Sequence, residues 1–153
     1  MADFSMIKEM YQKGYFSIHE SFDNWKDAVK ASVQPFIDKN LVKKEYADRV
    51  VEMVEEYGPY ICICPHVAIP HAMAPELVMS ETSEICFMKV NKPVEFVGES
   101  TDYCELFFAL CAPSGQKHME ELVKLVDILE QDGVIEALLE AKTEEDFKKL
   151  FDI

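Results

Sequence analysis

Tyr60-Ile61-Cys62-Ile63-Cys64-Pro65-His66-Val67-Ala68-Ile69-Pro70-His71-Ala72-Met73-Ala74-Pro75-Glu76 is the stretch on which the reading of this chain turns. It opens with an apolar run too short to span a membrane, and three prolines then forbid helix and pin the backbone around two histidines. The pattern predicts a buried strand that delivers a rigid histidine loop. Pro70 restricts Ile69 to extended geometry and fixes its own φ, so His71 is presented from a stiff frame. A histidine held this way suits nucleophilic or acid/base work.

Upstream, residues 3 to 13 read as a short helix, and Tyr15-Phe16-Ser17-Ile18-His19 alternates as a short strand after Gly14. From Asn24, a candidate N-cap, Trp25, Ala28, Val29, Ser32, Val33, Phe36 and Ile37 recur at helical spacing, with Pro35 expected to kink or tighten the helix. A second helix is predicted from about Lys43 to Tyr57, with Tyr46, Val50, Met53, Val54 and Tyr57 on one face and Gly58-Pro59 as its stop. Downstream, Glu84 to Val90 and Tyr103 to Cys111 read as strands. Asn91-Lys92-Pro93 separates the first of them from a minor strand at Val94 to Val97. Leu106 to Cys111 is apolar on both faces, which suits the centre of a sheet covered on both sides. Ala112-Pro113-Ser114-Gly115 turns the chain into a helix with His118, Leu122, Leu125, Val126 and Leu129 on one stripe. Gly133 breaks that helix before a short one at Val134 to Leu139, and Thr143-Glu144-Glu145-Asp146 resembles a capping box. Helices on either side of a strand-rich middle imply an α/β sandwich.

The chain has 153 residues, about half of them apolar, which is enough for one domain with a real core. Its formal charge of −14 comes from 29 acidic against 15 basic residues, with Arg49 the sole arginine. No basic cluster exists to bind a phosphate backbone, which argues against nucleic acid, and a partner carrying a basic patch would be steered toward the acidic surface. The N-terminus lacks the charged and apolar regions of a signal peptide, and no run approaches a membrane span, so a cytoplasmic protein is expected. Cys62, Cys64, Cys86, Cys104 and Cys111 all fall in apolar, strand-like runs, where buried free thiols are the simplest account.

His118 sits in the first turn of its helix, just after a strand, as His71 also follows a strand. Ligands of open α/β sheets gather outside strand carboxyl ends, so the two imidazoles are candidates for one shared site. The unpaired N–H groups at that helix start, near Ser114 to Lys117, favour an anion such as a phosphoryl group. For each histidine the competing reading is an ordinary buried, hydrogen-bonded side chain. Cys62, Cys64 and His66 have equal parity and would share one strand face, which keeps a soft-metal site open; a two-sided core strand explains them equally well. No Gly-rich phosphate loop, Walker motif or Gly-x-Ser-x-Gly elbow is present.

Taken in order, the helix pair, Tyr57-Gly58-Pro59-Tyr60, Ala68-Ile69-Pro70-His71-Ala72, Lys92-Pro93-Val94-Glu95-Phe96, and Leu110-Cys111-Ala112-Pro113 leading to His118 resemble the mannitol/fructose-type IIA domain of the bacterial sugar phosphotransferase system (PTS). The Gly-Pro-Tyr lead-in and the Pro-His-Ala ending are most similar to the ascorbate-specific branch. The resemblance implies a single-domain three-layer sandwich, with a mixed sheet of about five strands flanked by helices on both faces and residues 1 to about 14 as an added segment. It implies a phosphotransferase whose His71 accepts a phosphoryl group from phospho-HPr and passes it to a IIB component, indirectly serving a membrane IIC, with His118 assisting. No cofactor, nucleotide or metal is implied, because the donor is already a phosphohistidine. A regulatory domain that signals through phosphorylation of His71 is the alternative within the family, and a Cys/His metal protein the alternative outside it. Two departures stand out: His66 where relatives have glycine, and Met73 where they have arginine. The missing cation implies weaker phosphoryl stabilisation or a different IIB.

Overall fold

The computed structural model describes residues 3–96 and 103–153. In chain order these form α1 (Ser5–Gln12), β1 (Phe16–His19), α2 (Trp25–Asp38), α3 (Glu45–Tyr57), β2 (Cys62–Cys64), β3 (His66–Ala68), a 3-10 turn (Pro75–Leu77), β4 (Glu84–Glu95), β5 (Tyr103–Cys111), α4 (Gly115–Leu129), α5 (Val134–Glu140) and α6 (Glu144–Phe151). The sheet order is β1-β4-β5-β3-β2. β1 runs parallel to β4 and β3 parallel to β5, whereas the β4/β5 and β2/β3 pairs are antiparallel. The expected three-layer α/β sandwich with a mixed five-stranded sheet is therefore the observed architecture.

Alternation along β4 shows how the layers are made. Cys86 points one way and donates its thiol hydrogen to the Ser32 carbonyl of α2 at 3.0 Å. Phe87 points the other way, stacks on Phe108 at 4.7 Å and meets Phe147 of α6 edge-on at 5.7 Å. On the first face α2 packs with α3. On the second, α1 contributes buried Ile7 and Met10, and Tyr11 meets Phe16 and Phe151. β5 is covered on both sides, as its unbroken apolar run requires: Leu106 to Leu110 are fully buried.

Among the described residues, local signals mark three of the six helix starts and the end of α3. Asn24, Ser114 and Thr143 each accept a hydrogen bond from the backbone N–H three residues on, and Thr143 with Asp146 completes the capping box. Gly58 ends α3 at φ +84°, a conformation glycine adopts without a Cβ penalty. α2 runs unbroken through Pro35 to Asp38, only three residues further, so the lost bond falls in its final turn.

Three expectations need correction. The single strand entering the histidine loop is a hairpin: the chain reverses between Cys64 and His66, and His66 takes the left-handed φ of +76° at the turn. Pro65 has no N–H for a ladder bond, so the strand cannot continue through it. Cys62, Cys64 and His66 consequently do not share one strand face. Likewise Asn91-Lys92-Pro93 does not end a strand, because β4 passes through it to Glu95 with a register shift between Lys89 and Val94. Pairing thus resumes beyond the irregularity that tolerates the proline. The predicted end at Val97 lies outside the described residues.

Lys89 lies within the strand-like run from Glu84 to Val90. It is 1% exposed, and its ammonium donates to the Leu139 and Ala141 carbonyls at 3.1 and 2.5 Å. This cation pins β4 to the end of α5, and burial pulls its pKa down to about 8. Among the described residues no helix is long and apolar enough to cross a membrane.

Candidate active site

β3 and β5 are parallel, so their carboxyl ends lie at the same edge of the sheet. His71 follows the first and α4 follows the second. The fold thereby brings together the two histidines that the sequence singled out: their rings are 4.8 Å apart, centroid to centroid, at 48°.

The His71 loop owes its rigidity to hydrogen bonds as well as to proline. Ile69 N–H donates to the Ile61 carbonyl at 2.8 Å, and Leu110 N–H donates to the Pro70 carbonyl at 2.9 Å, which carries the β3/β5 pairing onward. Tyr46, fully buried on α3, donates its hydroxyl to the Leu110 carbonyl at 2.9 Å and accepts from Ala72 N–H at 3.1 Å. The Tyr60 hydroxyl donates to the His71 carbonyl. Backbone groups of Ile69, Pro70, His71 and Ala72 that would otherwise be orphaned are thus paired.

One contact decides the chemistry of His71. Its Nδ1 lies 2.5 Å from the Ile69 carbonyl oxygen, which only accepts, so Nδ1 carries the proton and Nε2 keeps its lone pair. Burial lowers the His71 pKa, opposed in part by that carbonyl, and burial together with neighbouring His71 lowers that of His118. Both rings are therefore neutral near pH 7. A neutral imidazole with a fixed tautomer and a bare Nε2 is a nucleophile that needs no proton removed.

His118 is buried on the inner face of α4, with its backbone N–H bonded to Ser114. The start of that helix presents N–H dipoles of the kind that favour negative charge. Met73 lies over it: a Cβ on Gly115 would come 3.6 Å from the Met73 terminal methyl. Arg49 on α3 is paired with Glu76 at 3.3 Å and with Glu52 at 3.8 Å.

His66 is not brought to this site. It opens β3 at the opposite edge, where its Nδ1 is 2.9 Å from a Glu105 carboxylate oxygen. Nearby, Cys62 Sγ and Cys104 Sγ are 3.8 Å apart. Among the described residues no three His, Cys, Asp or Glu side chains are grouped so as to hold a metal ion. Burial pushes the Cys111 thiol up to about 12 and raises Cys86 too, which makes both poor nucleophiles.

Sequence reasoning missed the two tyrosines. Tyr46 was counted as one more member of an apolar stripe, and Tyr60 as part of a lead-in. The available signal was that a buried tyrosine hydroxyl has to find a partner, and an unpaired loop backbone is where partners are needed.

Residues 9–152 match the family described as phosphoenolpyruvate-dependent sugar phosphotransferase system, EIIA 2. The chain belongs to this family. The ascorbate-specific PTS system EIIA component of Shigella boydii is 28% identical over 131 residues, covering 85% of this chain and 84% of that protein. Among solved structures, a protein described as PTS IIA (PtxA) from Streptococcus mutans superposes with a TM-score of 0.79 at 30% identity, covering 99% of this chain and 94% of the other. The mannitol-specific cryptic phosphotransferase enzyme IIA CmtB of Escherichia coli superposes with a TM-score of 0.77 at 25% identity, over 90% and 95%. This IIA domain is accordingly a phosphotransferase of a sugar phosphotransferase system.

Proposed function

We propose that His71 is the phosphoryl carrier of this IIA domain, taking the group from phospho-HPr and giving it to a IIB component. The observation that carries the reading is the Nδ1 bond to the Ile69 carbonyl, which leaves Nε2 as the free nitrogen beside His118. In the first transfer the Nε2 lone pair forms a bond to phosphorus as the N–P bond of the donor phosphohistidine breaks. The electron pair returns to the donor ring, and the proton stays on His71 Nδ1, still donated to the Ile69 carbonyl. Transfer to IIB repeats the exchange in the other direction. The donor brings the high-energy bond, so the site has to supply position and charge stabilisation. In this reading His118 and the start of α4 serve the second task, and the bonded loop serves the first.

Two features support a protein partner at this edge. Gly115, Met119 and Val123 follow one another at four-residue spacing, so Met119 and Val123, about half exposed, extend an apolar stripe outward from Met73. The chain also carries the −14 charge that would steer a basic docking face. Ascorbate or a related sugar acid is the substrate the relatives favour, since the curated proteins it matches are ascorbate-specific.

Incubation with phosphoenolpyruvate, enzyme I and HPr tests the reading. The expected product is one acid-labile, base-stable phosphate on His71 Nε2 that chases onto an ascorbate-type IIB. Label on another residue, or none, would sink it.

A further inference from the structure

Tyr60 touches His71 in two ways. Its hydroxyl donates to the His71 carbonyl, and its ring stands 5.1 Å from the imidazole at 88°. With His118 at 4.8 Å, the imidazole has aromatic neighbours on two sides. Tyr60 is itself well fixed. Gly58 turns the chain at φ +84°, Pro59 locks its own φ, and the Tyr60 N–H bonds to the Gly58 carbonyl at 2.7 Å. Burial pushes the phenol up to about 12, so the hydroxyl remains a donor throughout the neutral range.

The neighbouring groups of the loop already have partners. Ile69 C=O accepts from the imidazole, Pro70 C=O accepts from Leu110 N–H, and Ala72 N–H donates to the Tyr46 hydroxyl oxygen. The His71 carbonyl, half-way along this chain of bonds, is held by Tyr60. Freed, that peptide plane would rotate and swing the Cα–Cβ bond that aims the ring. In-line transfer is sensitive to such aim, since a misplacement of about 1 Å costs roughly a hundredfold.

We infer that Tyr60 is a positioning residue for phosphoryl transfer, fixing the direction of the His71 Nε2 lone pair by holding the His71 carbonyl and walling the imidazole. The inference rests on the carrier role proposed for His71. It assigns to Tyr60 a contribution to the rate of transfer beyond any it makes to folding.

Tyr60→Phe keeps the ring and removes the donor, and the test is the steady-state rate of phosphorylation as phospho-HPr is varied. A fall in kcat of roughly ten- to a hundredfold is expected, with KM unchanged. Nitrogen-15 spectra of the unphosphorylated variant should show His71 as a mixture of tautomers where the wild type shows Nδ1–H alone. A wild-type kcat in the folded variant overturns the inference, as does a loss confined to KM or a fall in kcat that merely tracks a lower melting temperature. If the variant does not fold, the wild type still decides: a Tyr60 hydroxyl proton protected from exchange is expected, and one exchanging like that of an exposed tyrosine overturns the idea. A wild-type protein that takes no phosphate on His71 would instead sink the carrier proposal, so the two failures are distinguishable.

Discussion

His66 and His71 bracket β3, and the chain treats them in opposite ways. At the start of the strand, His66 occupies a turn at φ +76°, and its Nδ1 meets a carboxylate, Glu105. Beyond the end of the strand, the Nδ1 of His71 meets a neutral carbonyl, in a loop whose successive peptide groups are bonded to Ile61, Leu110, Tyr46 and Tyr60. At His71 burial favours the neutral ring and the Ile69 carbonyl fixes its proton on Nδ1, which leaves Nε2 bare beside His118; His66 is turned to Glu105, away from the second histidine. Reactivity therefore follows from the partner and its surroundings, and the presence of a histidine in a stiff loop is insufficient.

The sharpest way to break this comparison is to remove each ring. His71→Ala should abolish labelling by enzyme I, HPr and phosphoenolpyruvate, whereas His66→Ala should be labelled normally. Equal labelling of both variants would show that the wrong edge of the sheet has been assigned.

His118→Ala should stay folded and transfer about 10²–10³-fold more slowly, the usual cost of losing one preorganised charge-stabilising group. Stopped-flow transfer to HPr and to IIB checks this. A wild-type rate to both partners would leave His118 as a core residue.

Acid gives a further contrast. Because burial depresses the His71 pKa, transfer should be flat from pH 8 to about 6.5 and fall only at lower pH, as Nε2 takes a proton. His66→Ala should leave that profile unchanged. For stability the sign is the same: His71 and His118 have lowered folded-state pKa values, so the unfolded chain binds protons first as pH falls. Stability should then decrease below about pH 6.5 and gain nothing from these two groups above it, as urea titrations across pH would show.

Tyr46→Phe should cost about 1–3 kcal/mol in chemical denaturation, because the Leu110 carbonyl and Ala72 N–H lose a buried partner. The smallest effect is expected at the other edge. His66→Gly relieves a left-handed residue worth ~1–2 kcal/mol but loses the Glu105 contact and loosens the unfolded chain, each worth up to ~1 kcal/mol. Stability should move by less than about 1 kcal/mol and the transfer rate not at all; a larger drop in either would give His66 a role its surroundings do not suggest.

Most helices and the central strand were legible because their information is local. Asn24, Ser114 and Thr143 cap where capping residues are expected, and the apolar run from Leu106 to Cys111 reads as a doubly covered strand. The hairpin at Pro65-His66 was not legible, since turn and strand compete there and only pairing of β3 with β5 resolves the contest. The parity argument that grouped Cys62, Cys64 and His66 failed for the same reason: side-chain alternation holds only while a strand continues. Asn91-Lys92-Pro93 reads as a break rather than as part of β4 because a register shift is a relation between two strands, which neither strand encodes alone.

That His71 sits in a proline-stiffened segment and His118 in the first turn of a helix follows from residue order alone, because φ restriction and turn chemistry act over a few residues. The meeting of the two rings, the place of His66 at the far edge, and the hold of Tyr46 and Tyr60 on the loop emerge only from the folded arrangement. Those facts depend on which strands run parallel and on which distant hydroxyl satisfies a buried peptide group, interactions that join residues 11 to 64 positions apart in the chain.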